Sequence, residues 1–464
     1  MKNNYWLRLL LSRFVNLSSN DFHFFIVDLK YKLDKLIMKY SQFTFIFLFF
    51  LYLNVSAQEV KGLDFYLSQA KKNTPALLEN RNLEQIGELQ NNLINAQNRS
   101  FQINIISDIL IAPYFNNNGK SIDITTTPSV NAYGYDVGIT NGGLYSAQLN
   151  VTKNLFNQSS IDNLLFQNKI KNQAIQLSSA EITNNLIKNI SDLYITTYQL
   201  QLQAEFTKEI LTDLENRLQV VDLLVKRGVL MLSDYLLLQL DIESKKLELK
   251  QIQNNFKTSV DQIYSLSGTP LQSIKKIAPP DITSIENPTE FFYNKKFKND
   301  SLQLAADQQV FNNQYKPQIS LYANTGLNAV ELQNIEHRIG ASPGLHLNIP
   351  IYDGRQRNYN ELQNNLKKES LDSYRDNSKI QLKNKVESIK KQIVDLDETM
   401  QLMDNQLEKQ RKILEIYKGK LVQGQISIVD YINVIQNYKQ NVYAKLQMRT
   451  NHWLLQSQYN FINW

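Results

Sequence analysis

The sequence predicts a mainly helical protein with a small membrane-type β-sheet, built as two copies of one unit: helix, strand, strand, long helix, turn, return helix. Three observations carry this reading. A turn signature occurs twice, as Gly228-Val-Leu-Met-Leu-Ser-Asp234-Tyr235-Leu236 and as Gly424-Gln-Ile-Ser-Ile-Val-Asp430-Tyr431-Ile432, 196 residues apart. The stretch Leu149 to Asn157 matches Leu345 to Asp353 at the same offset of 196, and two unrelated landmarks sharing one offset mark an internal duplication. Finally, residues 157–227 and 355–418 contain neither Pro nor Gly. At 1.5 Å per residue, helices of that size reach roughly 100 Å, more than a single globular core covers.

Composition narrows the function classes. Among 464 residues there is no cysteine, which excludes disulfides, thiolate metal sites and a lipidated N-terminal cysteine. The four histidines (His23, His337, His346, His452) form no local metal pair. The net charge of +6 is concentrated at the start: residues 58–464 carry 43 basic and 41 acidic groups, so a nucleic-acid partner has no electrostatic support. No nucleophile elbow, phosphate loop or zinc motif is present, which argues against an enzyme and gives no reason to expect a cofactor.

Taken in order, Met38-Lys39-Tyr40, the apolar run Phe43 to Leu53 and Val55-Ser56-Ala57 have the pattern of a secretory signal peptide over 38–57. Residues 1–37 are then expected to derive from an upstream start codon; the alternative is an uncleaved anchor with a short cytoplasmic tail. The first repeat is expected over 58–268, a Pro-containing connector over 269–298, and the second repeat over 299–464. Leu63 to about Arg99 is helical in composition. Four stretches then alternate with period two. Phe101, Ile103 and Ile105 alternate with Gln102 and Asn104; Leu149 and Val151 with Gln148, Asn150 and Thr152. In the second repeat Ile319, Leu321 and Ala323 alternate with Gln318, Ser320 and Tyr322, and Leu345, Leu347 and Ile349 with His346 and Asn348. Strands that are apolar towards lipid and polar towards a water-filled lumen give this pattern.

The long segments carry heptads. Ile389, Ile393, Leu396, Met400, Met403, Leu407, Leu414, Tyr417 and Leu421 keep a 4-3 rhythm with Gln410 in the one gap, as do Leu211, Leu214, Leu218, Val221 and Val225. Such spacing packs helix on helix as a coiled coil. At the turns, Gly228 and Gly424 suit the left-handed residue that ends a helix. Ser427 and Asp430 have capping-box spacing, whereas the first copy has Met231 in the serine's place, leaving Ser233 or Asp234 as the cap.

Four strands cannot close a barrel, and open strand edges cannot face lipid, because unpaired backbone groups there cost several kcal/mol each. Sharing the barrel among three chains supplies twelve strands, with the helical hairpins projecting from one side as a tube and the turns at its far tip. At this point the chain resembles the TolC family of outer-membrane efflux channels. The resemblance spans Leu63 to Trp464. It rests on the tip turns, on the junctions Asn154-Leu155-Phe156-Asn157 and Ile349-Pro350-Ile351-Tyr352-Asp353-Gly354, and on Tyr315-Lys316-Pro317-Gln318 opening the third strand.

The resemblance implies a homotrimer in the cell outer membrane with a long periplasmic extension: a twelve-stranded barrel continuous with an α-helical coiled-coil tunnel. It also implies partners, namely a periplasmic adaptor (membrane fusion protein) and, through it, an inner-membrane pump. The function implied is a passive exit duct of a tripartite efflux or type I secretion system, opened at its tip by the adaptor; the alternative is a periplasmic coiled-coil adaptor or structural protein. The expected docking surface is Gly228, Asp234, Tyr235, Gly424, Ser427, Asp430 and Tyr431. The lumen face comprises Gln102, Asn104, Gln148, Asn150, Thr152, Gln318, Ser320, His346 and Asn348. Family members close the tunnel through a Tyr before the second tip glycine and an Arg after it; the corresponding positions here read Leu421, Gln425 and Ile426, and a pore acid is replaced by Asn433. With Lys226 and Arg227, the residues Leu421, Gln425 and Asn433 are the gate candidates. The helix before the third strand is expected to be short, 17 residues from Ser301 to Gln318 against 27 from Pro75 to Gln102.

Overall fold

A computed structural model describes residues 30–31, 60–136, 143–285, 288 and 290–464. The chain divides into two compact units, Met1–Val60 and Lys61–Trp464. In the first, only Lys30 and Tyr31, both helical, and Val60 are described, so the expected signal segment 38–57 lies outside the described residues, as does 1–37 apart from that pair. Among the described residues no helix is long and apolar enough to cross a membrane.

The second unit opens with α1 (Leu63–Asn73) and α2 (Pro75–Arg99). Composition alone predicts a single helix over this stretch. The break is Thr74-Pro75: proline has no N–H to donate, so it is accepted at the first position of a new helix and not within an old one. Asn73 fixes the corner by donating from Nδ2 to the Ser267 and Gly268 carbonyls at 3.1 and 3.0 Å. Strand β1 (Gln102–Ile111) follows, then a small hairpin of β2 (Tyr114–Asn117) and β3 (Lys120–Asp123), then β4 (Gly143–Leu155). The long helix α3 (Gln158–Lys226) has 69 residues and returns through α4 (Leu232–Leu266). The second repeat runs α5 (Phe292–Asn313), β5 (Gln318–Ala329), a 3-10 turn (Ile335–His337), β6 (Ile339–Asn348), α6 (Gln356–Val422) and α7 (Ile428–Ile462).

The expected short helix before the third strand does not hold. Helix α5 starts at Phe292, inside the stretch assigned to the connector, and its 22 residues nearly equal the 25 of α2. The expected shortening depends on a helix start at Ser301. Stacking of Phe292 on Trp464, with ring centroids 4.1 Å apart, and a bond from the Phe292 N–H to the Trp464 carbonyl at 2.8 Å anchor the earlier start. The hairpin β2–β3 lies in a stretch that composition marks only as a Gly/Asn/Thr-rich connector, because four-residue strands are too short to show a period.

Strands β1, β4, β5 and β6 form one antiparallel sheet in that spatial order, leaving β1 and β6 at its edges. Each strand is joined directly to a helix, and the packing α2–α3–α5–α6 repeats the strand order. The close α2–α3 contact is made at Gly87, where a Cβ would overlap Asn172. Asn168, buried there, donates to the Gly87 carbonyl and to Asn91 Oδ1.

Heptad spacing is written into burial. Along α6 between 389 and 421, Ile389, Leu414 and Leu421 are buried, and Ile393, Leu396, Met400, Met403, Leu407, Gln410 and Tyr417 are half-buried. Every other residue of that stretch except Lys418 is exposed. The resulting cluster joins all four helices: Leu211, Leu214 and Val221 from α3, Leu238 and Ile242 from α4, Leu414 and Leu421 from α6, and Ile428, Tyr431 and Ile435 from α7. Each such side chain, once buried, contributes on the order of 1.5–3 kcal/mol. A second cluster, with Tyr66, Tyr194, Tyr198, Tyr264 and Ile277, holds α1 and the connector against α3 and α4. The Tyr194 hydroxyl closes it by donating to the Ala278 carbonyl at 2.7 Å.

Candidate channel wall and helical tips

In an antiparallel sheet, residues directly opposite each other point to the same face, so the register sorts the wall. Gln102 pairs with Thr152, which pairs with Tyr322, which pairs with Gly344. The next row is Asn104, Asn150, Asn324 and Ser342; Gln148 lies beside Ile106 and Gly326. Asn154 faces Ser320, which faces His346, and Gln318 faces Asn348. All nine polar residues named from the alternation therefore share one face. That face is nearly uncharged, with Asp108 and His346 as its titratable exceptions apart from tyrosine. The other face presents Ile103, Ile105, Ile109, Leu149, Val151, Leu321, Leu327, Ile339, Leu345 and Leu347, and Lys153 as its cation. Ile105 and Ile109 on β1 and Leu345 on β6 are 77, 76 and 68 % exposed. Leaving such apolar surface in water costs about 25 cal/mol for each Å².

At the far end, both turns close by one hydrogen-bond pattern. The Gly228 N–H donates to the Val225 carbonyl and Val229 N–H to Leu224, each at 2.9 Å. In the second copy Gly424 donates to Leu421 and Gln425 to Lys420, each at 3.0 Å. These two bonds are the Schellman motif, and the glycines take the positive φ it requires, +73° and +68°. The two turns touch: a Cβ on Gly424 would lie 2.7 Å from Val229 Cγ1. The caps that follow differ. Ser427 Oγ accepts the Asp430 N–H at 3.1 Å and donates its proton to the Asp430 carboxylate at 2.7 Å. In the first copy Asp234 is the cap, accepting the Met231 N–H at 3.0 Å. Asp234 and Tyr235 are half-buried; Ser427 and Asp430 are exposed.

The structure places the gate candidates unevenly. Gln425, Asn433, Lys226 and Arg227 are exposed, and Lys226 pairs with Asp222 of its own helix at 2.6 Å, which raises its pKa. Leu421 is fully buried in the four-helix cluster, so it packs the core of the chain and has no surface to offer at a gate. Tyr431, expected on the docking surface, is also fully buried. Its hydroxyl donates to Asp213 Oδ2 at 2.8 Å, and burial followed by this bond raises its pKa. Asp213 also meets Lys418 Nζ at 3.1 Å and Arg217 at 3.7 Å.

That cluster was invisible in the sequence. Tyr431 and Asp213 lie 218 positions apart, and no local spacing connects them. Further along α7 the polar partners lie on α4: Gln436 donates to Asp241, Lys439 pairs with Glu248, and Tyr443 donates to Glu248 at 3.2 Å. Burial lowers the Lys439 pKa against the pull of Glu248, and burial raises that of Tyr443 to about 12. The hairpins thus cohere internally through apolar heptads and meet each other through buried polar pairs as well.

At the strand-to-helix junction, Asp353 caps α6 by accepting the Arg355 and Arg357 N–H groups at 2.9 and 2.8 Å. A bond from Tyr315 and these two amides hold its carboxyl below the usual range.

No protein-family model matches the sequence, and no curated protein does. Solved structures do match the fold. The outer membrane protein VceC of Vibrio cholerae superposes with a TM-score of 0.66 at 13% identity, covering 86% of this chain and 96% of that one. The CmeC outer membrane channel of Campylobacter jejuni gives 0.67 at 13%, covering 87% and 86%. The MtrE outer membrane channel of Neisseria gonorrhoeae, in its open state, gives 0.64 at 14%, covering 86% and 88%. The fold of this chain is that of the TolC-type outer-membrane channels.

Proposed function

We propose that the chain is one protomer of a trimeric exit duct in the cell outer membrane. The observation that carries this is a four-stranded sheet with one apolar and one polar face and with both edges unpaired among the described residues. Open edges are tolerated in lipid only when another chain pairs them. The flanking helices support the same assembly. Ile86, Leu89 and Leu93 on α2 are exposed, and so are Tyr359, Leu362 and Leu366 on α6. Both sets have i, i+3, i+7 spacing, and they lie beside the β1 and β6 edges respectively, because α2 runs into β1 and β6 runs on to α6. A head-to-tail contact of β6–α6 on α2–β1 uses both flanks and closes as a ring. Three copies make twelve strands, with the apolar face to lipid and the amide-rich face to water.

The hairpins would then extend the duct as a coiled-coil tunnel into the periplasm. An adaptor of a tripartite efflux or type I secretion system would open it at the adjoining turns around Gly228 and Gly424. The duct itself does no bond chemistry; energy comes from the inner-membrane pump. The absence of cysteine makes a direct test possible. Single cysteines along β4 in the reconstituted protein are treated with a membrane-impermeant thiol reagent. Positions 148, 150 and 152 should react and reduce conductance, and 149 and 151 should not. Equal reaction at odd and even positions would overturn the proposal.

A further inference from the structure

Among the described residues, the β2–β3 hairpin is the folded part of the sheet end that the duct does not use. It is a built element. Tyr114 and Asn117 are buried; Asn117 donates from Nδ2 to Asp123 at 2.7 Å and accepts the Ser129 N–H on Oδ1 at 2.7 Å. Phe115 bridges to Tyr133 through two backbone bonds of 2.7 and 2.9 Å. Tyr114 lies over Gly134, where a Cβ would sit 2.4 Å from its ring. Among the described residues, the opposite face is bare. Phe115 and Ile122 form a cross-strand pair, and with Ile124 they are 48, 61 and 58 % exposed; Tyr133, bridged to Phe115, is exposed as well, and so are Val130 and Tyr135 in the segment that follows the hairpin. The charges of the hairpin itself, Lys120 and Asp123, pair with each other at 3.1 Å.

Resting on the proposed duct, we infer that this hairpin lies in the lipid interface at the outer end of the barrel and anchors it there through Phe115, Ile122, Ile124 and Val130. Two features select lipid as the occupant. The hairpin leaves β1 after only Ala112 and Pro113, directly beyond Ile109 and Ile111 of the apolar wall, so the apolar surface of the wall leads into it. Its exposed aliphatic and aromatic side chains stand with exposed Asn116, Asn118 and Ser121 and a neutralised ion pair, the mixed chemistry of the boundary between acyl chains and headgroups.

Spin labels on single cysteines test this in liposomes of phosphatidylethanolamine and phosphatidylglycerol, reading collision with oxygen, which enriches in lipid, against a water-soluble nickel chelate. Ile109→Cys and Asn104→Cys serve as wall and lumen references. The oxygen-to-nickel ratio at Ile122→Cys and Val130→Cys should rank with Ile109→Cys, several-fold above Asn104→Cys. A ratio equal to that of Asn104→Cys would overturn the inference, placing the hairpin in water. Low collision with both probes would also overturn it, placing the hairpins against one another across the mouth. If Ile109→Cys itself ranks with Asn104→Cys, the duct reading fails instead.

Discussion

At the residue scale, Tyr431 shows what holds the two hairpins together. Its ring fills the cluster shared by four helices, and its hydroxyl donates to Asp213, which also carries Lys418. Removing the hydroxyl in Tyr431→Phe leaves Asp213 its cationic partners, so the loss should be about 1.5–2 kcal/mol, the lower part of the range for a bond to a charged group. The pH dependence has a definite sign. The folded pKa of Tyr431 is raised above its unfolded value near 10, so its stabilisation is complete below about pH 10 and declines as pH rises further. Tyr66 and Tyr194 are raised by burial in the same way. The gap in thermal midpoint between Tyr431→Phe and the parent, read from helical ellipticity in detergent, should be constant up to about pH 9 and narrow above about pH 10. A gap that stays constant to about pH 11.5 would show that Tyr431 is not the buried donor described.

At the element scale, the turns are the most sensitive joints. An L-residue held in the left-handed region costs roughly 1–2 kcal/mol. Gly228→Ala should incur that cost alone, since nothing lies within 4 Å of its Cβ position, whereas Gly424→Ala must also displace Val229. Gly424→Ala should therefore lower the thermal midpoint more; equal effects would mean that the turns do not touch. These joints were legible in the sequence because Gly, capping residue and heptad all act within a few positions. So were the strands: a period of two survives whichever neighbour a strand pairs with, and the nine polar positions fall on one face. Less legible were the Thr74-Pro75 corner, for which the proline was an available signal, and the start of α5, which depends on Phe292 stacking against a residue 172 positions later. At the first turn, where Met231 stands in the serine's place, Asp234 takes over the cap, one of the two residues the spacing offered. Leu421 was placed at the gate by correspondence with other sequences, and here its side chain is needed in the core.

At the scale of the whole molecule, the chain leaves specific surfaces without a partner among the described residues. Among the described residues its sheet ends in two open edges, its wall exposes Ile105, Ile109 and Leu345, and apolar stripes lie on α2 and α6. In the proposed trimer, a second and third copy, and lipid, would satisfy all of these at once. The nearly uncharged polar face, with its rows of Asn, Gln, Ser and Thr, would then give the barrel a neutral hydrogen-bonding lining, leaving selection of cargo by charge to other parts of the assembly. The most direct measurement is the mass of the particle that detergent extracts from purified outer membranes. Three chains in one detergent-bound particle are the expected result. A monomer released from the periplasm without detergent would contradict the shared barrel, because the apolar face of the sheet would then be in water.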